Sequence, residues 1–236
     1  MPILATPPPS PALFEPPAAY IETPHGVRRM SADFSAWCVP VEDLPPEAAA
    51  PPGSDVLCGG VQAALTPYGA CLRRMNLLPE VWARAGEEIR FHVPDGIGTP
   101  AVAITRSDVI EHHLDPITTW AAPRTPPGEP PALVKISASS RLGSVVYSAR
   151  VVIGDDPSPP EVRLNLRRAR GILEIRAPAG ATVVACIAGG TRDRPLRLRD
   201  VRRVLRVAIG GPPRIWATVA VRGVSGVRTI ARIGPR

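Results

Sequence analysis

Between Pro195 and Gly223 the chain reads PLRLRDVRRVLRVAIGGPPRIWATVAVRG, and arginine alternates there with branched aliphatics. A period of two belongs to a β-strand with one buried and one wet face. The residues before this stretch repeat the pattern. EVRLNLRRA, from Glu161, puts Val162, Leu164 and Leu166 on one face and Arg163, Asn165 and Arg167 on the other. RGILEIRAP and GATVVACIAGG follow, and GVRTIARIG closes the run, with Gly-Gly pairs at 189–190 and 210–211 and Gly-Val-Ser-Gly at 223–226 as turns. About seven short strands at this spacing predict an all-β sandwich.

AGATVVACIAGG followed by RIWATVAVRGVSGVRTIARIG resembles an immunoglobulin-like or fibronectin-like β-sandwich domain of bacterial and phage structural (virion) proteins. Such domains close on a hairpin that opens with an aromatic residue. Trp216 takes the place of that aromatic and RGVSG the place of the turn. The acidic residue and the Asn usual in that turn are absent. The resemblance covers the C-terminal part of the chain, and 81–153, from VWARAGEEIRFHV to SVVYSARVVIG, reads as a looser second copy. It implies a structural or adhesive role and supplies no catalytic residues.

Toward the N-terminus, GDDPSPPEV (Gly154–Val162) combines acid, proline and serine between two strands and marks a domain boundary. Charge changes there too. From Asp156 onward there are 17 Arg against 5 acidic residues, whereas the preceding part holds 11 basic and 16 acidic residues. That asymmetry predicts pairing between parts, between copies, or with a polyanion. Lys135 is the single lysine among 28 basic residues, so the arginine excess is read chiefly as the mark of a GC-rich genome.

Upstream of the boundary, EEIRFHV alternates as a strand, AVAITRS, ALVKISAS and VVYSARVVIG follow, and DVIEHHLDPITTW reads as a short helix or an irregular connection. GGVQAALTPYGACLRRMNLLPEVWARAG is the most helix-compatible part. Residues 1–55 are dense in proline, which totals 31 in the chain, and read as an extended arm with polyproline II character. Leu13, Phe14, Tyr20, Phe34 and Trp37 are its expected partner-binding anchors. The predicted organisation is therefore mainly β: a Pro-rich arm over 1–55, a β-rich domain with short helical turns over 56–155, and a basic immunoglobulin-like sandwich over 158–236.

Arg197, Arg199, Arg203, Arg206, Arg222, Arg228 and Arg232 form the predicted basic face. A face that neutralises phosphates usually adds aromatics for stacking, and Trp216 is the one this domain offers. Solvated strand faces, or contact with an acidic protein, are therefore favoured over nucleic acid.

Asp108, Glu111, His112 and Asp115 would share one face of a helix, but neither a zincin nor a calcium-loop pattern is matched. They are read as hydrated surface, and no metal or cofactor is expected. Cys71 with His92 lacks the context of a nucleophile and its base, so no catalytic set is expected. Cys38, Cys58, Cys71 and Cys186 have no C-x-x-C spacing. A bridge from Cys38 or Cys58 to Cys71 is conceivable, with isolated buried thiols preferred.

With aromatics at 4% the core must be thin and aliphatic. No secretory signal or membrane span is read, so synthesis in the cytoplasm is expected. The expected function is a non-enzymatic structural subunit of a large assembly, a virion component that contacts its own copies and other structural proteins. The alternatives are a nucleic-acid-binding protein using the Arg-rich domain and a carbohydrate-recognising surface protein.

Overall fold

The computed structural model describes residues 14–34, 36–46, 48, 51–59, 67–75, 77–106, 109–113, 117–126, 129–155, 158–167, 172–187, 196–201, 204–208 and 217–233. Among these residues the chain is mainly β. The central domain contains β1 (Tyr20–Thr23), β2 (Gly26–Arg29), β3 (Ser31–Asp33), β4 (Trp37–Pro40) and β5 (Val56–Gly59). After helix α1 (Pro67–Met75) come β6 (Glu80–Ala83), β7 (Glu88–His92), β8 (Ala101–Arg106), β9 (Val109–His113), β10 (Thr119–Ala121), β11 (Ala132–Ser140) and β12 (Gly143–Ile153). The C-terminal domain is built from β13 (Arg163–Arg167), β14 (Ile172–Arg176), β15 (Ala181–Ile187), β16 (Leu196–Val201), β17 (Val204–Ala208), β18 (Ala217–Arg222) and β19 (Arg228–Ile233).

The C-terminal domain pairs a three-stranded sheet, β13-β14-β17, with a four-stranded one, β16-β15-β18-β19. Leu173 and Ile175 of the first meet Val183, Val219 and Val221 of the second in a dry core. The central domain follows the same path. β7 and β10 are neighbours in one sheet, as β14 and β17 are, and β12-β11-β8-β9 matches β19-β18-β15-β16 strand for strand. Two sandwiches of one topology therefore stand in tandem, and this strand order is that of an immunoglobulin-like or fibronectin-like sandwich.

The central core is aliphatic, with Ile21, Ile89, Ile104, Val134 and Ile136 fully buried around Tyr147. β11 and β12 form its longest hairpin, and β11 alternates buried with exposed residues nearly throughout. The turn needs glycine at 143. Its φ is 146°, and a Cβ there would lie 2.8 Å from the Ala36 carbonyl oxygen.

Residues 20–59 correct the expected arm. β1 pairs antiparallel with β7, where β13 pairs with β14 in the other domain. β3 and β4 pair with β12, and β5 pairs with β4. The segment completes the central sandwich instead of reaching away from it. Its strands are three or four residues long, too short to display a period against the prolines around them.

Two further expectations are corrected. The stretch 109–113 is a strand paired with β8, not a helix. The cysteines are neither isolated thiols nor bridged from Cys38 or Cys58 to Cys71: Cys38 bonds to Cys58 and Cys71 to Cys186. The first pair faces across the β4–β5 ladder. The second links α1 to the C-terminal domain.

Candidate functional site

The second disulfide explains the β18 pattern, which is buried on both faces. Val219 and Val221 face the core, so Thr218 and Ala220 point outward. α1 covers that outward face: Cys71 and Met75 pack with Cys186 and Ala220, and Leu72, Leu77 and Val184 close the cluster. The helix precedes β6 of the central sandwich yet lies on the sheet of its neighbour.

Where α1 leads into β6, three guanidiniums converge on one carboxylate oxygen. Arg222 binds Oε1 of Glu80, Arg228 Nε lies 3.5 Å from the same atom and Arg150 Nη1 4.0 Å. Glu80 is 12% exposed and Arg228 8%. Arg228 also donates to the Leu78 carbonyl at 2.5 Å, and Arg222 to the Gly226 carbonyl. Burial lowers the pKa of Arg150 and of Arg228, and the neighbouring arginines add to the effect while Glu80 opposes it. Nearby, Thr229 Oγ1 donates to the Pro160 carbonyl at 2.8 Å. The junction between the two sandwiches is thus covalent, apolar and ionic at once.

The predicted basic face divides accordingly. Arg222 and Arg228 are corrected: they belong to the junction, because β6 and the segment before it cover that end of the sheet. Arg197, Arg206 and Arg232 are exposed. The side chain of Arg199 and the whole of Arg203 lie outside the described residues, as does Trp216. Arg206 pairs at 3.2 Å with Glu174, whose side chain is 3% exposed. Asn165 donates to the other oxygen of Glu174 at 3.3 Å. Register places Asn165, Glu174 and Arg206 in one row across β13, β14 and β17, with Arg163, Arg176 and Val204 in the next. Arg163 and Arg176 are exposed on that face. Of these arginines the predicted basic face held Arg206 alone; register is what brings Arg163 and Arg176 onto the same surface.

The expected anchors also separate. Trp37 is 4% exposed in the central core, and Phe34 packs against that core. Phe14 lies against Gly59, where a Cβ would come within 2.3 Å of its ring. These three are corrected from partner contacts to internal ones, because the segment carrying them is part of the sandwich. Tyr20 remains exposed on β1, and Leu13 lies outside the described residues.

Sequence reading missed Trp82. The His25 ring lies 4.1 Å from it, and Arg84 stands 5.4 Å over it. His25 is held by Glu87 at 2.8 Å, and Glu87 also accepts the Arg84 backbone N–H at 2.7 Å. That backbone hydrogen bond is the chief cause of a lowered Glu87 pKa. Trp82 and His25 line an open groove of about 430 Å3 between the β1–β2 hairpin and β6. The signal was there in VWARAGEE, but nothing local ties it to His25.

The helical metal face does not form. Alternation on β9 separates Glu111 from residue 112, and Glu111 pairs with Arg106 at 3.0 Å. Asp108, Asp115 and the side chain of His112 lie outside the described residues. Cys71 is bonded to Cys186 and so cannot serve as a nucleophile.

No protein-family model matches the chain, and no curated protein matches it. Solved structures similar to it are fibronectin-III and immunoglobulin-like domains at low identity. The chicken CNTN1 FN1-FN3 domains align at 11% identity over 66% of this chain and 63% of that one, with a TM-score of 0.26. Fibronectin(III)-like modules of Clostridium thermocellum CbhA align at 13% identity over 66% and 87%, with a TM-score of 0.28. Domains A168-A170 of titin align at 13% identity over 86% and 65%, with a TM-score of 0.25. The chain therefore spans just under two thirds of the CNTN1 structure. The sandwich assignment rests on the strand order given above.

Proposed function

We propose that the chain is a non-enzymatic structural subunit of a large assembly, of the kind virions and phage particles are built from. The observation that carries this reading is the junction. A disulfide, a helix laid on a foreign sheet and the Glu80 cluster hold two sandwiches as one body. Such coupling suits a part that sets the spacing of its neighbours. It suits poorly a hinge that closes on a substrate.

Two disulfides favour an oxidising setting over the reducing cytoplasm, so the assembly is met at a particle or cell surface. The partners are further copies and other structural proteins. Among the described residues no helix is long and apolar enough to cross a membrane. The exposed face that carries Arg163, Arg176 and Arg206 keeps nucleic acid as a second reading, and a salt titration of DNA binding decides it. Several neutralised phosphates would give a steep log–log slope.

Native extraction from the producing organism, followed by rate-zonal sedimentation, tests the main reading. The chain is expected in a fast-sedimenting particle at fixed stoichiometry. Recovery as a free monomer with no co-sedimenting protein would overturn the reading.

A further inference from the structure

Residues 30–72 contain no Lys, Arg or His, and they hold five acidic residues, Asp33, Glu42, Asp43, Glu47 and Asp55. Most of them fall on the β4–β5 hairpin. Its two strands are stapled by Cys38–Cys58, and β5 is the edge of its sheet. Glu42, Asp43 and Asp55 are exposed. At the other end of the chain, the outer face of β13-β14-β17 presents Arg163, Arg176 and Arg206 to solvent. Among the described residues no ion pair joins 31–59 to 160–233. The β13-β14-β17 face keeps an excess of arginine although Arg163 pairs with Glu161 and Arg206 with Glu174, the hairpin segment holds only acidic charges, and the fold does not bring the two together within one molecule.

Resting on the assembly reading, we propose that the outer face of β13-β14-β17 docks the acidic β4–β5 hairpin of a second copy. The two patches differ, so the contact is head-to-tail and builds a ring or a filament. Exposed Val204 at the edge of the basic face offers the hairpin an apolar contact beside the charges. Three strands of five residues give a face of about 14 by 17 Å. That is far below the roughly 800 Å2 per partner of a standard interface. The isolated contact is therefore weak and electrostatic, and it gains strength only by repetition in the assembly. Salt weakens it because both patches are solvent-exposed.

Sedimentation velocity of the purified full chain tests the proposal. In low salt, the wild-type chain associates above about 100 µM, in the range of small interfaces, and becomes monomeric in about 0.5 M NaCl. Arg163→Glu with Arg176→Glu stays monomeric, and so does Glu42→Arg with Asp43→Arg. All four positions are exposed, and thermal melts check that both variants fold. Mixing the two variants restores association, because each then meets a complementary surface on the other.

A wild-type chain that remains monomeric in low salt overturns the contact. Variants that associate like wild type, or a mixture that fails to recover, do the same. DNA binding lost in the Arg163→Glu/Arg176→Glu variant of a monomeric chain would assign the face to a polyanion instead. If that variant still enters the native particle, this contact is wrong and the assembly reading stands.

Discussion

Glu80 is the point at which one atom's charge decides how two domains meet. Among the described residues it is the carboxylate shared by Arg150, Arg222 and Arg228. Glu80→Gln keeps the volume and deletes the charge, which leaves three partly buried guanidiniums repelling one another. Breaking a buried pair from one side costs about 3–5 kcal/mol, and partial exposure places this site near the lower end, about 3 kcal/mol. Urea denaturation measures it; a change under about 0.5 kcal/mol would mean the cluster is solvated and not structural. Arg222 and Arg228 were legible as outward-pointing, because alternation fixes which way a side chain faces. Alternation is silent on what lies over that face. The cover comes from residues more than a hundred positions away, and no local pattern encodes it.

Among the elements, β1 shows how far the sequence could be read. YIET and GVRR are too short to show a period, and prolines on both sides suggest an arm. Yet Ile21 is fully buried, and β1 supplies the outer neighbour of β7. Tyr147 confirms the attachment from the opposite sheet by donating its hydroxyl to the Pro17 carbonyl at 2.7 Å. Long, regular strands such as β11 and β12 declared themselves, since nine or eleven residues give several repeats of the period. A chain starting at residue 56 would therefore lose β1 to β4 and leave one side of β7, and the part of β12 from Gly143 to Ser148 that faces β3 and β4, unpaired. It is expected to be insoluble or to lack a cooperative melt, whereas an independent arm would be removable without loss. Soluble expression and circular dichroism of that truncation distinguish the two.

For the whole molecule, cysteine spacing gave no pairing, because disulfides report nearness in space and the second one spans 115 residues of sequence. Closing a loop of that length stabilises by about 4–5 kcal/mol in the chain-entropy account. The same bond ties α1 to the β15-β18 face, and the Glu80 cluster can form only where α1 delivers β6 beside the C-terminal sandwich. Two sandwiches joined by these contacts are the premise of the assembly reading. Peptide mapping of the unreduced protein by mass spectrometry tests that premise most directly. The expected result is two linkages, Cys38–Cys58 and Cys71–Cys186, with no free thiol. A Cys58–Cys71 linkage, or Cys186 recovered as a free thiol, would contradict it.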